Sequence, residues 1–321
     1  MRKLSRIFGA IGAALALAIP AQAQSYPDKT ITMVVPYAAG GPTDVYARFI
    51  ADSLSNTLGQ SVIVDNKPGG ATIIGAEAVA GAPNDGYTLL FTVATTISSN
   101  PHLYSSLPYK PDDFAPISLM ATSPFVLAVG PTVTAPDAQA FVELAKSETI
   151  AVGSLGLGTA GQLLAATFER EANVDLNEIT YKGSSAAMTD LVAGRIGVYF
   201  DGPASAVPQH NAQKIRILAV TSDERLDILP ETPTMNELGY SGMTVSTWWG
   251  LFAPAGTSAE IVDKLNAAMV KAVDDPKLLD RLKADGVQPR TSTPVEFAEF
   301  IKNDLEYWRN IIEPLGIQLQ Q

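Results

Sequence analysis

The run Val34-Val35-Pro36-Tyr37-Ala38-Ala39-Gly40-Gly41-Pro42-Thr43-Asp44 constrains this chain more than any other stretch. An apolar, β-like segment, Ile31 to Val35, ends in a loop of small residues. A long amphipathic pattern then opens, from about Asp44 to Leu58. Strand, glycine loop and helix start, in that order, make the first unit of an alternating α/β fold. Thr43 reads as the N-cap, because its hydroxyl can accept a hydrogen bond from an orphan N–H of the first turn. Gly40 and Gly41 carry no Cβ, so a ligand can approach the backbone there. Such a helix start presents N–H groups at the positive end of a dipole, which suits one end of a small carboxylate. A tight turn with no ligand fits the stretch equally well.

The alternation continues. Val62 to Val64 reads as a second strand and Asn66-Lys67-Pro68-Gly69-Gly70 as a turn-rich loop. Thr72 to Ala80 reads as a helix, and Tyr87 to Val93 as a third strand entered through Asn84-Asp85-Gly86. This order predicts a mostly parallel sheet with helices on its faces. Pro101, Pro108, Pro111 and Pro116 exclude a long helix over Asn100 to Pro116, since proline removes donors and breaks helices. That crossing leads into Ile117 to Met120 and Phe125 to Val129.

A second series follows. Helices are expected at Phe141 to Lys146, Gly161 to Glu171 and Ala186 to Ala193. Strands are expected at Ile150 to Ser154, Ile179 to Tyr181, Val198 to Asp201 and Ile215 to Val220. A loop-rich stretch, Thr221 to Thr247, ends in the aromatic strand Trp248 to Phe252. Helical patterns then cover Ile261 to Val273, Leu278 to Lys283 and Val295 to Ile312. So long a return predicts two α/β domains joined by two crossings: residues 24–122 with 246–321, and residues 123–245. A cleft between them is a favoured small-molecule site, with ligands at the carboxyl ends of strands.

The first residues read as a cleavable signal peptide over residues 1–23. Arg2, Lys3 and Arg6 form a basic region, Ile7 to Ile19 an apolar one, and Ala21-Gln22-Ala23 a small-residue cleavage site. Removing those 23 residues from 321 leaves 298, about two domains at roughly 150 residues each. The chain has no cysteine, which excludes disulfides, a thiol nucleophile and thiolate metal sites. Loss of the three signal cations takes the formal charge from −11 to −14, which argues against nucleic acid and anionic membrane surfaces. The expectation is a soluble exported protein in a bacterial periplasm.

Gly153-Ser154-Leu155-Gly156-Leu157-Gly158-Thr159-Ala160-Gly161 is the second domain's counterpart of the opening stretch. Ser154 and Thr159 add hydroxyls to it. Gly156, Gly158 and Gly161 match a GxGxxG dinucleotide fingerprint, but the match sits mid-chain. A small-anion loop is the preferred reading, with a structural turn as the other. Two facing loops of this kind can grip an organic acid.

The segments VPYAAGGPTD, NKPGGATIIGAEAVAGAPNDGYTLLF, NPHLYSSLPYKPDDFAPI, GSLGLGTAG, ITYKGSSAAMTDLVAGRIGVYFD, IRILAVTSDERLDILPETPTMNELGY and WWGLFAPAGTSAEIVDKLNAAM resemble the substrate-binding receptors of tripartite tricarboxylate transporters, the Bug type. The likeness runs in order from about Tyr26 to Trp308. It implies a two-domain α/β periplasmic-binding-protein (Venus-flytrap, type II-like) fold that closes on a carboxylate and delivers it to the membrane permease subunits. It also implies a monomer without cofactor or metal. Carried over residue by residue, it implies ligand contacts at Tyr37, Ala38, Ala39, Gly40, Thr43 and Asp44, and at Thr95 and Thr96. In the second domain it implies contacts at Ser154, Leu155, Gly158, Thr159, Ala160 and Asp201. Tyr37 and Gln162 stand where the family commonly has Phe and His, so the ligand need not be citrate-like. Di- and tricarboxylates, aromatic acids such as terephthalate, and acidic amino acids all fit.

Catalytic motifs are missing. His102 and His210 are the only imidazoles, and no GxSxG elbow or HExxH is present. Asp112-Asp113 and Asp274-Asp275 are turn pairs that read as solvated caps. Asp44 is balanced between ligand contact and a first-turn helix role, whereas Asp201 reads as a pocket residue. Trp248 and Trp249 read as core, and Lys182 and Arg195 as solvated or salt-bridged. An exported enzyme for a small acid and a sensory receptor are the alternatives.

Overall fold

The computed structural model describes residues 26–320, so the signal-peptide reading lies outside the described residues. In the first series, β1 (Ile31–Val35), α1 (Pro42–Leu58), β2 (Val62–Asn66), α2 (Ile73–Ala80) and β3 (Thr88–Val93) follow one another. A π-helical turn, Thr95–Ser99, and the one-turn α3 (Asn100–Leu103) lead to β4 (Phe114–Pro124). The second series is β5 (Val126–Val129), α4 (Ala138–Ser147), β6 (Ile150–Ser154), α5 (Ala160–Ala172), β7 (Leu176–Thr180), α6 (Ser184–Val192), β8 (Val198–Asp201), α7 (Pro203–Asn211) and β9 (Arg216–Val220). The return comprises β10 (Ser246–Pro254), α8 (Ala259–Val273), α9 (Pro276–Ala284), β11 (Gln288–Pro289) and α10 (Pro294–Ile312). No helix among the described residues is long and apolar enough to cross a membrane.

The strands form two sheets, in the orders β11-β4-β10-β3-β1-β2 and β7-β6-β8-β5-β9. β1 runs parallel to β2 and β3, and β6 runs parallel to β7 and β8, as the alternation predicts. Helices cover both faces of each sheet. On the first sheet, α1, α8 and α9 close over Met33 and Phe91, while α2 and α10 close over Leu90 and Phe252. On the second, α4 and α5 cover Val152 and Phe200, and α6 and α7 cover Tyr199.

Among the departures from expectation, three have identifiable reasons. α1 begins at Pro42 rather than Asp44, because proline at the first helical position sacrifices only an N–H that is orphaned anyway. α7 was hidden by its own prolines: Pro203 opens it and Pro208 sits inside it. β4 runs 11 residues despite Pro116, which lies where β11 offers no partner, since β11 pairs only with Ala121 and Thr122.

The register sets the geometry between the sheets. β4 pairs Pro124 with Ser246 at its carboxyl end, one residue intervenes, and β5 then pairs Val126 with Asp201 at the carboxyl end of β8. The carboxyl edges of the parallel strands in the two sheets therefore face each other across Phe125. Thr221, fully buried, ties this link to the second crossing: its hydroxyl accepts from Phe125 N (2.8 Å) and donates to Val245 O (2.6 Å).

Candidate functional site

The loop after β1 leaves Ala38, Ala39 and Gly40 exposed at the carboxyl edge, with Gly40 at φ +86°. Asp44 is the residue that shapes it. Its buried carboxylate accepts from Gly40 N (2.9 Å), Arg48 Nε (3.0 Å) and Nη2 (2.8 Å), and Asn66 Nδ2 (2.9 Å). Burial alone would raise its pKa, but Arg48, the Gly40 N–H and Asn66 together hold it below the usual carboxylate value. Asp44 thus braces the loop through its carboxylate. The N-cap expected at Thr43 is Gly41 instead, and the Thr43 hydroxyl accepts from Trp249 Nε1 (3.1 Å).

Tyr37 is half-buried, with its hydroxyl directed inward beside the Thr96 and Thr95 side chains. Burial raises its pKa, so it stays a neutral donor at any physiological pH. Thr95 is part-exposed, but Thr96 is fully buried. The Thr96 hydroxyl shares a hydrogen bond with Thr92 (2.5 Å) and donates to Thr72 (2.8 Å), so it supports the site from beneath. Asn100 Nδ2 donates to Ala71 O (2.8 Å) in the same network. Sequence reasoning did not single out Ala71 and Thr72. Both hold positive φ (50° and 81°) directly after Gly69 and Gly70, an uncommon, strained conformation for residues with a Cβ. The Pro68-Gly69-Gly70 turn was the available signal, but it gave no sign that the strain extends past the glycines.

In the second sheet the loop after β6 folds on itself. Ser154 Oγ accepts from Gly156 N (2.8 Å), and Thr159 Oγ1 donates to Gly156 O (2.7 Å). Gln162 Oε1 accepts from Gly158 N (3.2 Å), and Gly158 lies against Leu103. Ser154 and Thr159 therefore spend hydroxyl bonds on loop shape, while Leu155 stands exposed and Ala160 begins α5. A Cβ on Gly161 would sit 2.9 Å from Phe200 O, so only glycine lets α5 approach β8 this closely. Asp201, part-exposed at the end of β8, accepts from Ser184 Oγ (2.6 Å) at the start of α6 and from Ser205 Oγ in α7. Burial raises its pKa, with Ser184, Ser205 and the Gly202 N–H pulling it back.

One contrast runs through the helix starts. α1, α5, α6 and α7 begin at the facing carboxyl edges, and their N-caps, Gly41, Thr159, Gly183 and Gly202, make no side-chain capping bond. α4, α8, α9 and α10 begin elsewhere and are capped by Asp137, Ser258, Asp275 and Thr293. First-turn N–H groups are thus capped by side chains away from the facing edges and uncapped beside them. Asp44 and Asp201 bring the protein's own charge to the starts of α1, α6 and α7. The loop entering α5 contains no charged residue.

Other candidates fall out as structural. Trp248 and Trp249 are core residues, and Trp248 Nε1 donates to Asp304 (2.7 Å). Arg195 pairs with Asp190 (2.6 Å). Burial lowers the pKa of His102, and among the described residues no group of three or more acidic or imidazole side chains is placed to hold a metal. The larger concavities do not coincide with these loops. A groove of about 690 Å³ lies between Asp223, Glu224, Arg290 and Asp304, on the β9 and β11 side of the crossings.

The facing-edge, two-sheet architecture defines a periplasmic binding protein. Residues 46–317 match the family described as tripartite tricarboxylate transporter family receptor, and the chain belongs to that family. It is 38% identical over 301 residues to the "UPF0065 protein in tcbD-tcbE intergenic region" of a Pseudomonas species, covering 92% of this chain and 89% of the relative. It is 32% identical to "Protein BugT" of Bordetella pertussis, covering 100% and 99%. Among solved structures, "MatC (Rpa3494) from Rhodopseudomonas palustris with bound malate" superposes with a TM-score of 0.76 at 32% identity, covering 89% of this chain and all of that one. "R. palustris Rpa4515 with adipate" gives 0.79 at 30% identity, covering 92% and 100%. Membership of that family makes the chain a receptor rather than an enzyme.

Proposed function

We propose that the protein captures a small organic carboxylate between its two sheets and hands it to the permease subunits of a tripartite transporter. The observation that carries this reading is the set of uncapped helix starts on the facing edges, above all that of α5. Its first turn offers backbone N–H groups at the positive end of a 13-residue helix, from a loop without charge. Backbone grip needs no basic patch, which reconciles an anionic ligand with the acidic chain. Tyr37, Thr95, Ala38 to Gly40, Leu155, Gly158, Thr159, Ala160 and Asp201 are the proposed contacts, while Thr43, Asp44, Thr96 and Ser154 shape the loops around them. The malate and adipate held by two family members support the ligand class.

Binding would proceed by hinge closure about Phe125 and Val245, with the two domains acting as 24–122 plus 246–321 and 123–245. The decisive experiment is thermal shift of the mature protein, refolded to strip bound ligand, against aliphatic and aromatic acids. A ligand at 100 times its Kd adds about 2.7 kcal/mol. Ala160→Pro then tests the site: proline is tolerated at the first helical position but removes that N–H. The shift should shrink while the unliganded melting temperature is kept. An unchanged shift would remove α5 from the site, and no shift with any acid would defeat the carboxylate reading.

A further inference from the structure

Seven large hydrophobic side chains stand exposed among the described residues, and two share the loop that enters α5: Leu155, 40% exposed, and Leu157, 55% exposed. A third, Ile74, 54% exposed, lies in the first turn of α2 at the facing edge of the first sheet, where its side chain lies over Gly69. The remainder of the α5 loop is glycine, serine, threonine and alanine, so the leucines are its only large side chains. Gly156 and Gly158 hold positive φ (106° and 80°), and the Ser154, Thr159 and Gln162 bonds fix the turn. Two apolar groups are thus held in water on an internally hydrogen-bonded loop, beside the backbone donors of one helix start.

Resting on the carboxylate reading above, we infer that the ligand has a hydrocarbon body, aliphatic or aromatic, and that Leu155 and Leu157 select it over hydroxylated acids of the same length. A carboxylate seated at the α5 start places the rest of the molecule within this loop's reach. A methylene or aromatic carbon there leaves water together with the leucines. A hydroxyl in the same place loses its water and gains no partner from a leucine. Discrimination then comes from the loop walls, while the backbone donors hold the head group common to all acids.

Matched pairs test this. Adipate and galactarate are diacids of equal length that differ in hydroxylation, and hexanoate and gluconate are the corresponding monoacids. Affinities from calorimetry should favour the hydrocarbon member of a pair by about tenfold or more. In Leu155→Ser/Leu157→Ser that preference should fall to near unity, with the unliganded melting temperature kept because both side chains are exposed. A wild-type preference below tenfold overturns the inference. So does a preference that survives the double substitution, which would assign the leucines to another surface such as the permease. Binding of galactarate or gluconate alone would sink this inference yet leave the carboxylate reading intact. Failure of all four acids together with every acid of the thermal-shift panel would sink both.

Discussion

Ala71 and Asp44 show how single residues hold the site. Ala71 adopts φ 50°, where a Cβ costs about 1–2 kcal/mol. Ala71→Gly should therefore stabilise the protein, by about 0.5–1 kcal/mol once the greater freedom of an unfolded glycine is subtracted. The urea midpoint would report it. Thr72→Gly should show no such gain, because the Thr72 hydroxyl accepts from Thr96. Asp44→Asn should destabilise by about 1–3 kcal/mol at pH 7 by breaking charge-assisted bonds to Arg48 and Gly40. Because the folded pKa of Asp44 is depressed, its contribution is present above the ordinary carboxylate value. It fades as pH falls through the folded value. Denaturation at neutral and strongly acidic pH should thus show the variant's deficit closing in acid. Sequence alone left Asp44 balanced between ligand contact and a first-turn helix role. Of the partners its carboxylate finds, Gly40 and Arg48 are four residues away, and only Asn66 comes from another strand.

At the scale of elements, α5 is the one on which the site depends. Its seat on β8 requires glycine at position 161, where the Phe200 carbonyl leaves no room for a methyl group. Gly161→Ala should push the helix start outward, costing about 1–3 kcal/mol of stability and lowering affinity for any acid that binds. A melting curve paired with a titration would separate the two effects, and a variant matching wild type in both would remove α5 packing from the account. Strand and helix existence was legible because each series alternates apolar runs with amphipathic ones, and β6 and β8 fall where expected. α7 was not legible. Pro203 and Pro208 argue locally against a helix, yet the first sits at a position where proline is harmless. Packing of Ala206 into the second sheet's core favours the rest.

Over the whole molecule, the two sheets meet through Thr221 and α10. The first half of α10 packs Phe297 and Ile301 with the first sheet, and its last turns pack Trp308, Ile311 and Ile312 with the second. Thr221→Val keeps the shape but leaves Phe125 N and Val245 O without their hydroxyl partner, at a cost of about 1–3 kcal/mol for a buried unsatisfied group. Spin labels on one introduced cysteine per sheet, clean in a chain without cysteine, should show a broadened distance distribution in this variant. An unchanged distribution would mean that Thr221 does not hold the crossings. Mid-helix, burial pushes the Asp304 pKa up to about 6, against the pull of Ser98, Trp248 and Trp308. A raised folded pKa gives stability at low pH that is lost as pH climbs from about 4 through 6. Wild type should therefore lose stability relative to Asp304→Asn over that range, as paired denaturation curves would reveal.

The sequence by itself determined the alternating elements, the two glycine-rich helix starts and the family register, because periodicity, turn chemistry and proline are local. Tertiary structure decided which polar side chains are spent on bonds inside the protein. Thr43 meets Trp249, Thr96 meets Thr72, and Asp201 meets Ser184 and Ser205. All but the Ser205 bond, which spans four residues, join residues far apart along the chain, so only the folded register brings those donors and acceptors within reach.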